Sequence, residues 1–121
     1  MDYNISEHQN IVVIAMEGNL LGGPDGTRLH DTLRQLKDEG KPNVVADLSG
    51  ANFMSSSGLG MLISGLTTLR NAGGDFRLAC VPSKLQALLK LTRLNTVFKE
   101  YDDVDEAVVS FTSEPAGASF A

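Results

Sequence analysis

Apolar positions along the 121-residue chain follow two alternating rhythms. Short apolar or β-branched runs at residues 3–6, Ile11 to Met16, Val44 to Leu48, Phe76 to Val81 and Thr96 to Tyr101 have the length and composition of strands. Between and after them, apolar residues recur at three and four: Leu29, Leu33 and Leu36; Leu59, Leu62, Ile63, Leu66 and Leu69; Leu85, Leu88 and Leu89; Val104, Ala107, Val108 and Phe111. Each set predicts an amphipathic helix. The first two strands are separated only by the polar stretch Glu7-His8-Gln9-Asn10, so they read as a hairpin, whereas the later strands are joined by helices and should run parallel. The expected fold is a single α/β domain, a mixed, mostly parallel β-sheet packed with about four α-helices.

Turn residues punctuate this order. Gly40 and Pro42 end the first helix, Asn71-Ala72-Gly73-Gly74 ends the second, and Pro82 with Ser83 sets up the third. Glu17 to Gly26 holds four glycines and Pro24 and reads as a loop, with Asp25 as a candidate cap for the helix that follows. It lacks the Gly-x-x-x-x-Gly-Lys-Ser/Thr and Gly-x-Gly-x-x-Gly spacings, so its exposed amides are not read as a phosphate cradle.

The chain is organised around Asn43 to Gly60. Val44, Val45, Ala46 and Leu48 suit a strand buried on both faces; a short loop follows, then Ser55, Ser56 and Ser57 at the start of the second helix. A serine there caps a helix whatever the protein does. Gly58 and Gly60, however, each cost the first turn roughly 1 kcal/mol relative to alanine, and glycine permits close approach of another surface. A serine-tipped helix N-terminus also favours an anionic group. In an open sheet of this kind ligands meet the loops beyond the strand C-termini, and Asp47, Ser55 and Ser56 are expected at that edge.

Composition narrows the function. Hydrophobic content of 42% and charge of 21% fit one ordinary domain, and a net charge of −5 lacks the basic footprint of a nucleic-acid or anionic-membrane binder. There is no signal-peptide layout at Met1-Asp2-Tyr3-Asn4 and no apolar run near the roughly 18 residues that span a bilayer, so a cytoplasmic location is expected. Cys80 is the only cysteine, which rules out an internal disulfide and suits a small core residue.

Asp47-Leu48-Ser49, Phe53-Met54 and Ser-Ser-Gly-Leu-Gly at Ser56 to Gly60 together resemble the signature of the STAS domain, in particular of the small bacterial anti-sigma factor antagonists. The resemblance covers about residues 3 to 111, giving a STAS-like domain over residues 1–111 and a small, polar, flexible C-terminal tail over 112–121. It implies phosphorylation at Ser56 by a partner kinase. The partner would be an anti-sigma factor that is also an ATP-dependent serine kinase, sequestered by the unphosphorylated form so that a sigma factor is freed, with a phosphatase resetting the switch. The surface it implies for the partner comprises Asp47, Met54, Ser55, Ser56, Ser57, Gly58, Leu59 and Gly60. Two positions depart from the family's pattern: Ser55 stands where an acid usually precedes the modified serine, and Asn19-Leu20-Leu21-Gly22 where an acid often precedes the first helix.

Other chemistries find little support in the residues. A hydrolase would need a base for its serine, yet Gly-x-Ser-x-Gly is absent and the two histidines, His8 and His30, fall in a turn and beside a helix stripe. Neither histidine has a second ligand at a metal spacing, so no metal and no cofactor are assigned, and the protein is read as a non-enzyme. Asp47 as a phosphoacceptor would need an acidic pair for magnesium after the first strand, where the chain reads Met16-Glu17-Gly18. The alternative is a STAS interaction module, never phosphorylated, within a lipid-transport or stress-signalling complex.

Overall fold

The hairpin at the N-terminus closes through Gln9 and Asn10, whose φ values of 54° and 69° give the two left-handed residues that a tight turn between twisted strands requires. It joins β1 (Asp2–His8) to β2 (Ile11–Leu20) in an antiparallel pair, with His8 opposite Ile11. The computed structural model describes residues 2–113. The remaining elements are α1 (Pro24–Asp38), β3 (Asn43–Met54), α2 (Ser56–Asn71), β4 (Asp75–Ala79), α3 (Ser83–Leu91), β5 (Glu100–Tyr101) and α4 (Val104–Ser113). The strands form one sheet in the order β1-β2-β3-β4-β5, and every pair after the first is parallel. The α/β fold expected from the sequence is therefore the one observed.

Two apolar layers hold the sheet. On one face Val12, Ile14, Met16, Val44, Ala46, Leu48, Phe76 and Leu78 meet leucines of α1, α2 and α3, with Leu29, Leu33, Leu62 and Leu69 fully buried. On the other, Ile11, Val13, Val45 and Ala79 pack against Ala107 of α4. Burying one such leucine or valine is worth about 1.5–3 kcal/mol before chain entropy is set against it. Alternation along β3 assigns its side chains to the two layers in turn, which is why the run Val44 to Leu48 is apolar almost throughout.

Several boundaries differ from expectation. Both central strands run on: β2 continues through Glu17, Gly18, Asn19 and Leu20 instead of turning at Glu17, and β3 continues to Met54 with no loop before α2. The extensions pair with each other, Glu17 with Gly50 and Leu20 with Met54, across two register shifts, and this non-local pairing overrides the weak strand propensity of glycine and asparagine. Asp25 lies in the first turn of α1 rather than at its cap; Gly23 holds that position and Pro24 opens the helix. Pro82, beside Ser83 as expected, is the N-cap of α3. Thr96 to Phe98 is not strand: Leu94–Thr96 form a 3-10 turn, and β5 is reduced to Glu100–Tyr101. Ile63 is 37% exposed, because it lies off the inward face of α2 that Leu59, Met61, Leu62, Leu66 and Leu69 share. α4 runs through Ser113, and the rest of the expected tail, including Phe120, lies outside the described residues.

Candidate functional site

The end of β2 is folded against the start of α2, and glycines make this possible. A Cβ on Gly58 would lie 1.9 Å from the Leu20 carbonyl oxygen, so only glycine admits the helix this close to the strand. Gly22, at φ 79°, also stands close to α2, though less tightly: a Cβ there would be 2.8 Å from the Ser57 Cβ. Gly60 differs, since nothing lies within 4 Å of the position its Cβ would take and the residue is exposed. One glycine of the Ser-Ser-Gly-Leu-Gly run thus serves internal packing, and the other leaves open surface.

The three serines separate in the same way. Ser55 is the N-cap of α2: its hydroxyl oxygen accepts from the Gly58 N–H at 3.1 Å, and its hydroxyl donates to the Leu21 carbonyl at 3.2 Å. Its own N–H donates to the Leu20 carbonyl at 3.0 Å. Ser55 therefore ties β2, the loop after it and the helix together. Ser56, the first residue of α2, is exposed, as is Ser57. The first turn of α2 carries no acid, so the positive end of the helix dipole is uncompensated next to the Ser56 hydroxyl.

The other residues expected at this surface are distributed differently. Met54 and Leu59 are 4% and 7% exposed and belong to the core, because β3 and α2 turn those side chains inward. Gly58 is likewise buried. Asp47 is not brought to the serine tip, since β3 runs seven residues past it. It pairs with Ala79, the last residue of β4, and lies on the α4 face, where it accepts from the Ser49 N–H at 3.0 Å. Burial and then the charge and hydrogen bond of Asp47 push the neighbouring Cys80 thiol up from its ordinary pKa. The exposed apolar side chains on the elements that meet here are instead Leu21 (50% exposed) in the loop after β2, Phe53 (52%) near the end of β3 and Ile63 two turns along α2. Leu21 is an apolar residue in a glycine-rich loop, which is the signal sequence reasoning passed over; Phe53 stood in the stretch read as a short loop, and Ile63 in the apolar stripe expected to face inward. A shallow groove of about 310 Å³, lined by Gly22, Gly26, Ser57, Gly60 and Ser64 among others, runs from the tip between α1 and α2.

The sequence matches the family model of the STAS domain over residues 2–107, that is, from β1 into α4 and across the whole of this site. The chain belongs to the STAS domain family. A STAS relative from Thermotoga maritima, provisionally named an anti-sigma factor antagonist, is 30% identical over 71 residues, which is 59% of this chain and 63% of that protein. The match to a Thermotoga neapolitana homologue spans the same 63% of its length, so the alignable part of this STAS chain covers less than two thirds of either relative. Among solved STAS folds, a Thermotoga maritima protein, also provisionally named an anti-sigma factor antagonist, superposes with a TM-score of 0.80 at 21% identity, covering 89% of this chain and 92% of that one. The anti-sigma factor antagonist SpoIIAA in its unphosphorylated form gives 0.70 at 15%, covering 92% and 97%. The Bacillus SpoIIAA in its phosphorylated form gives 0.71 at 16%, covering 91% and 99%. These likenesses establish the STAS fold. Among the described residues no helix is long and apolar enough to cross a membrane.

Proposed function

We propose that this STAS protein is an anti-sigma factor antagonist, a binding protein switched by phosphorylation of Ser56. The observation that carries the reading is the division of labour at the tip of α2: Ser55 is consumed by the cap, and Ser56 stands exposed beside it. In support, relatives bear the name of anti-sigma factor antagonists, and the fold is shared with SpoIIAA, a protein solved with and without phosphate.

The mechanism follows from charge. Unmodified, the tip offers Gly60 and neutral hydroxyls, with Leu21 exposed in the adjoining loop, a surface that docks on a protein with little desolvation cost. Phosphate on Ser56 adds about 1.5–2 negative charges to a chain already at −5. The positive end of α2, which carries no acid in its first turn, accommodates that charge within the free protein, favourably by about 0.3–2 kcal/mol, so the fold persists. At an interface, a desolvation or repulsion cost of about 3 kcal/mol weakens binding more than a hundredfold. The partner is an anti-sigma factor that is also a serine kinase and binds the ATP, a phosphatase removes the phosphate, and the protein itself performs no catalysis and works in the cytoplasm. The test is binding of the candidate kinase to wild type and to Ser56→Glu, with melting followed in parallel. The expected result is loss of binding by at least about a hundredfold at unchanged stability; equal binding contradicts the switch.

A second reading, a STAS module that binds without phosphate in a lipid-transport or stress-signalling complex, draws on the same surface, with Leu21 exposed beside it whatever the state of Ser56. It expects Ser56 to stay unmodified in cells and Ser56→Ala to leave binding unchanged.

A further inference from the structure

The groove between α1 and α2 does not stop at Ser64. His30 lines both it and a second hollow of about 290 Å³ further along the same two helices, where Arg34 and Lys37 of α1 face Thr68 and Asn71 of α2. On α1, His30, Arg34 and Lys37 follow one another at four and three residues and so share one side of the helix. On α2, Ser57, Gly60, Ser64, Thr68 and Asn71 keep the same spacing, a row of small or polar residues that lets a peptide backbone come close. From Ser57 to Asn71 the helix rises about 21 Å, the reach of about six or seven extended residues.

Its charge is opposite to that of the molecule. No aspartate or glutamate lines either part of the groove, although the chain holds 15 acids to 10 lysines and arginines. The tip where it starts adds none, since neither residues 19–23 nor the first turn of α2 contains an acid. Arg34 and Lys37 are exposed and enter no ion pair among the described residues, unlike Lys41, Arg70 and Arg77, which are matched to Glu7 and Asp75. Asp31 and Asp38 line a separate hollow that Arg34 also borders, without pairing with it. Lys37 lies in the last turn of α1, where a cation suits the helix dipole in any protein; Arg34 and His30 lie before that turn and have no such explanation.

We propose that this groove receives an extended acidic segment of the protein that docks at the serine tip, with carboxylates set against Arg34 and Lys37 and the segment's backbone hydrogen-bonded by Ser64, Thr68 and Asn71. The inference rests on the reading of the tip as a docking site, with which the groove is continuous. A guanidinium takes a carboxylate through two parallel N–H donors, and opposite charge across the contact steers the encounter. A nucleic acid would bring a dense row of phosphates against a molecule of charge −5, and a second copy of the chain would bring the same net charge. A partner that is acidic along α1 is also one that phosphate on Ser56 turns away by like charge.

The test follows backbone amide resonances of the full chain while a short peptide of alternating glutamate and glycine is titrated in. The amides of Arg34, Lys37, Thr68 and Asn71 are expected to shift, and the shifts to shrink as salt is raised. Arg34→Gln combined with Lys37→Gln, at exposed and unpaired positions where melting should hold, should weaken both the peptide and the candidate kinase about tenfold or more. Lys84→Gln, the same loss of charge on α3, should change neither. The proposal is overturned if those amides do not move, if a peptide of alternating lysine and glycine binds as well, if an oligonucleotide or phosphatidylglycerol vesicles occupy the groove while the peptide does not, or if sedimentation finds a dimer that the double variant dissolves. Kinase binding that Ser56→Glu abolishes and the double variant keeps overturns the groove and leaves the switch standing; the reverse pattern keeps the groove and overturns the switch.

Discussion

Ser55 and Ser56 are neighbours with the same chemistry and opposite tasks. Three consecutive hydroxyls at a helix start were legible in the sequence; which of them caps was not, because that depends on where β3 ends, and β3 ends at Met54 through pairing with Leu20, some thirty residues away in the chain. Once Met54 closes the strand, Ser55 becomes the N-cap and Ser56 the first helical residue. Ser55→Ala should therefore lower stability by about 0.5–2 kcal/mol, read as a lower denaturant midpoint at unchanged slope. Ser56→Ala should stay within about 0.5 kcal/mol of wild type. Equal effects of the two changes would mean that the cap has been assigned to the wrong serine. Met54 and Leu59 teach the same lesson from the other side, since both belong to the run that resembles the family's signature and yet their side chains face the core.

At the scale of elements, existence and order could be read from the sequence, and lengths could not. The helices announced themselves by leucine spacing, and the hairpin by a polar gap between apolar runs. What was hidden is the extension of β2 and β3 past Glu17 and Gly50, because Gly18, Asn19, Gly50 and Asn52 argue locally against strand, and the extensions are held by pairing across the two strands, Gly18 with Ala51 and Asn19 with Phe53. That extension delivers the Leu20 carbonyl to the tip of α2 and makes Gly58 obligatory. Gly58→Ala should be destabilising by about 3 kcal/mol or more, since the clash is with backbone that cannot step aside. Gly60→Ala, with open space around it, should stabilise the helix by up to about 1 kcal/mol. Thermal unfolding of the two variants side by side decides the matter; similar melting would show that α2 does not approach β2 as described. If Gly60→Ala folds well and binds the partner worse, Gly60 belongs to the docking surface.

At the scale of the whole molecule, one polar cluster links three elements across the sheet. Asp75 is 9% exposed and Arg77 3%; the Asp75 carboxylate accepts from Arg77 Nε at 3.0 Å, from Arg70 Nε of α2 at 3.1 Å and from the Phe76 N–H at 2.9 Å. Arg77 also donates to Ser110 of α4 at 2.7 Å and lies 3.9 Å from the centre of the Phe111 ring. The sequence held little sign of this, because Asp75 and Arg77, two apart on one strand, meet Arg70 and Ser110 only once the helices are in place. Burial alone would raise the Asp75 pKa, but the hydrogen bonds from Arg77, Phe76 and Arg70 outweigh it and hold the carboxyl below its ordinary value. The folded state then takes up this proton less readily than the unfolded chain, so the stabilisation is complete above about pH 4 and is lost as pH falls through the lower folded-state pKa. Asp75→Asn leaves Arg77 buried without its counter-charge and should cost roughly 3–5 kcal/mol at neutral pH. Denaturant midpoints measured from pH 7 downward should show that acid-side loss in wild type and a smaller one in the variant; superimposable pH profiles would contradict the assignment.

The central claim is that Ser56, and not its capping neighbour, is the switched residue. Phosphosite mapping by peptide mass spectrometry on the protein isolated from its own cells, resolving Ser55, Ser56 and Ser57, tests it most directly. The account predicts phosphate on Ser56, with Ser55 unmodified. A fully covered peptide without phosphate across several growth conditions, or phosphate on Ser55 alone, would contradict it.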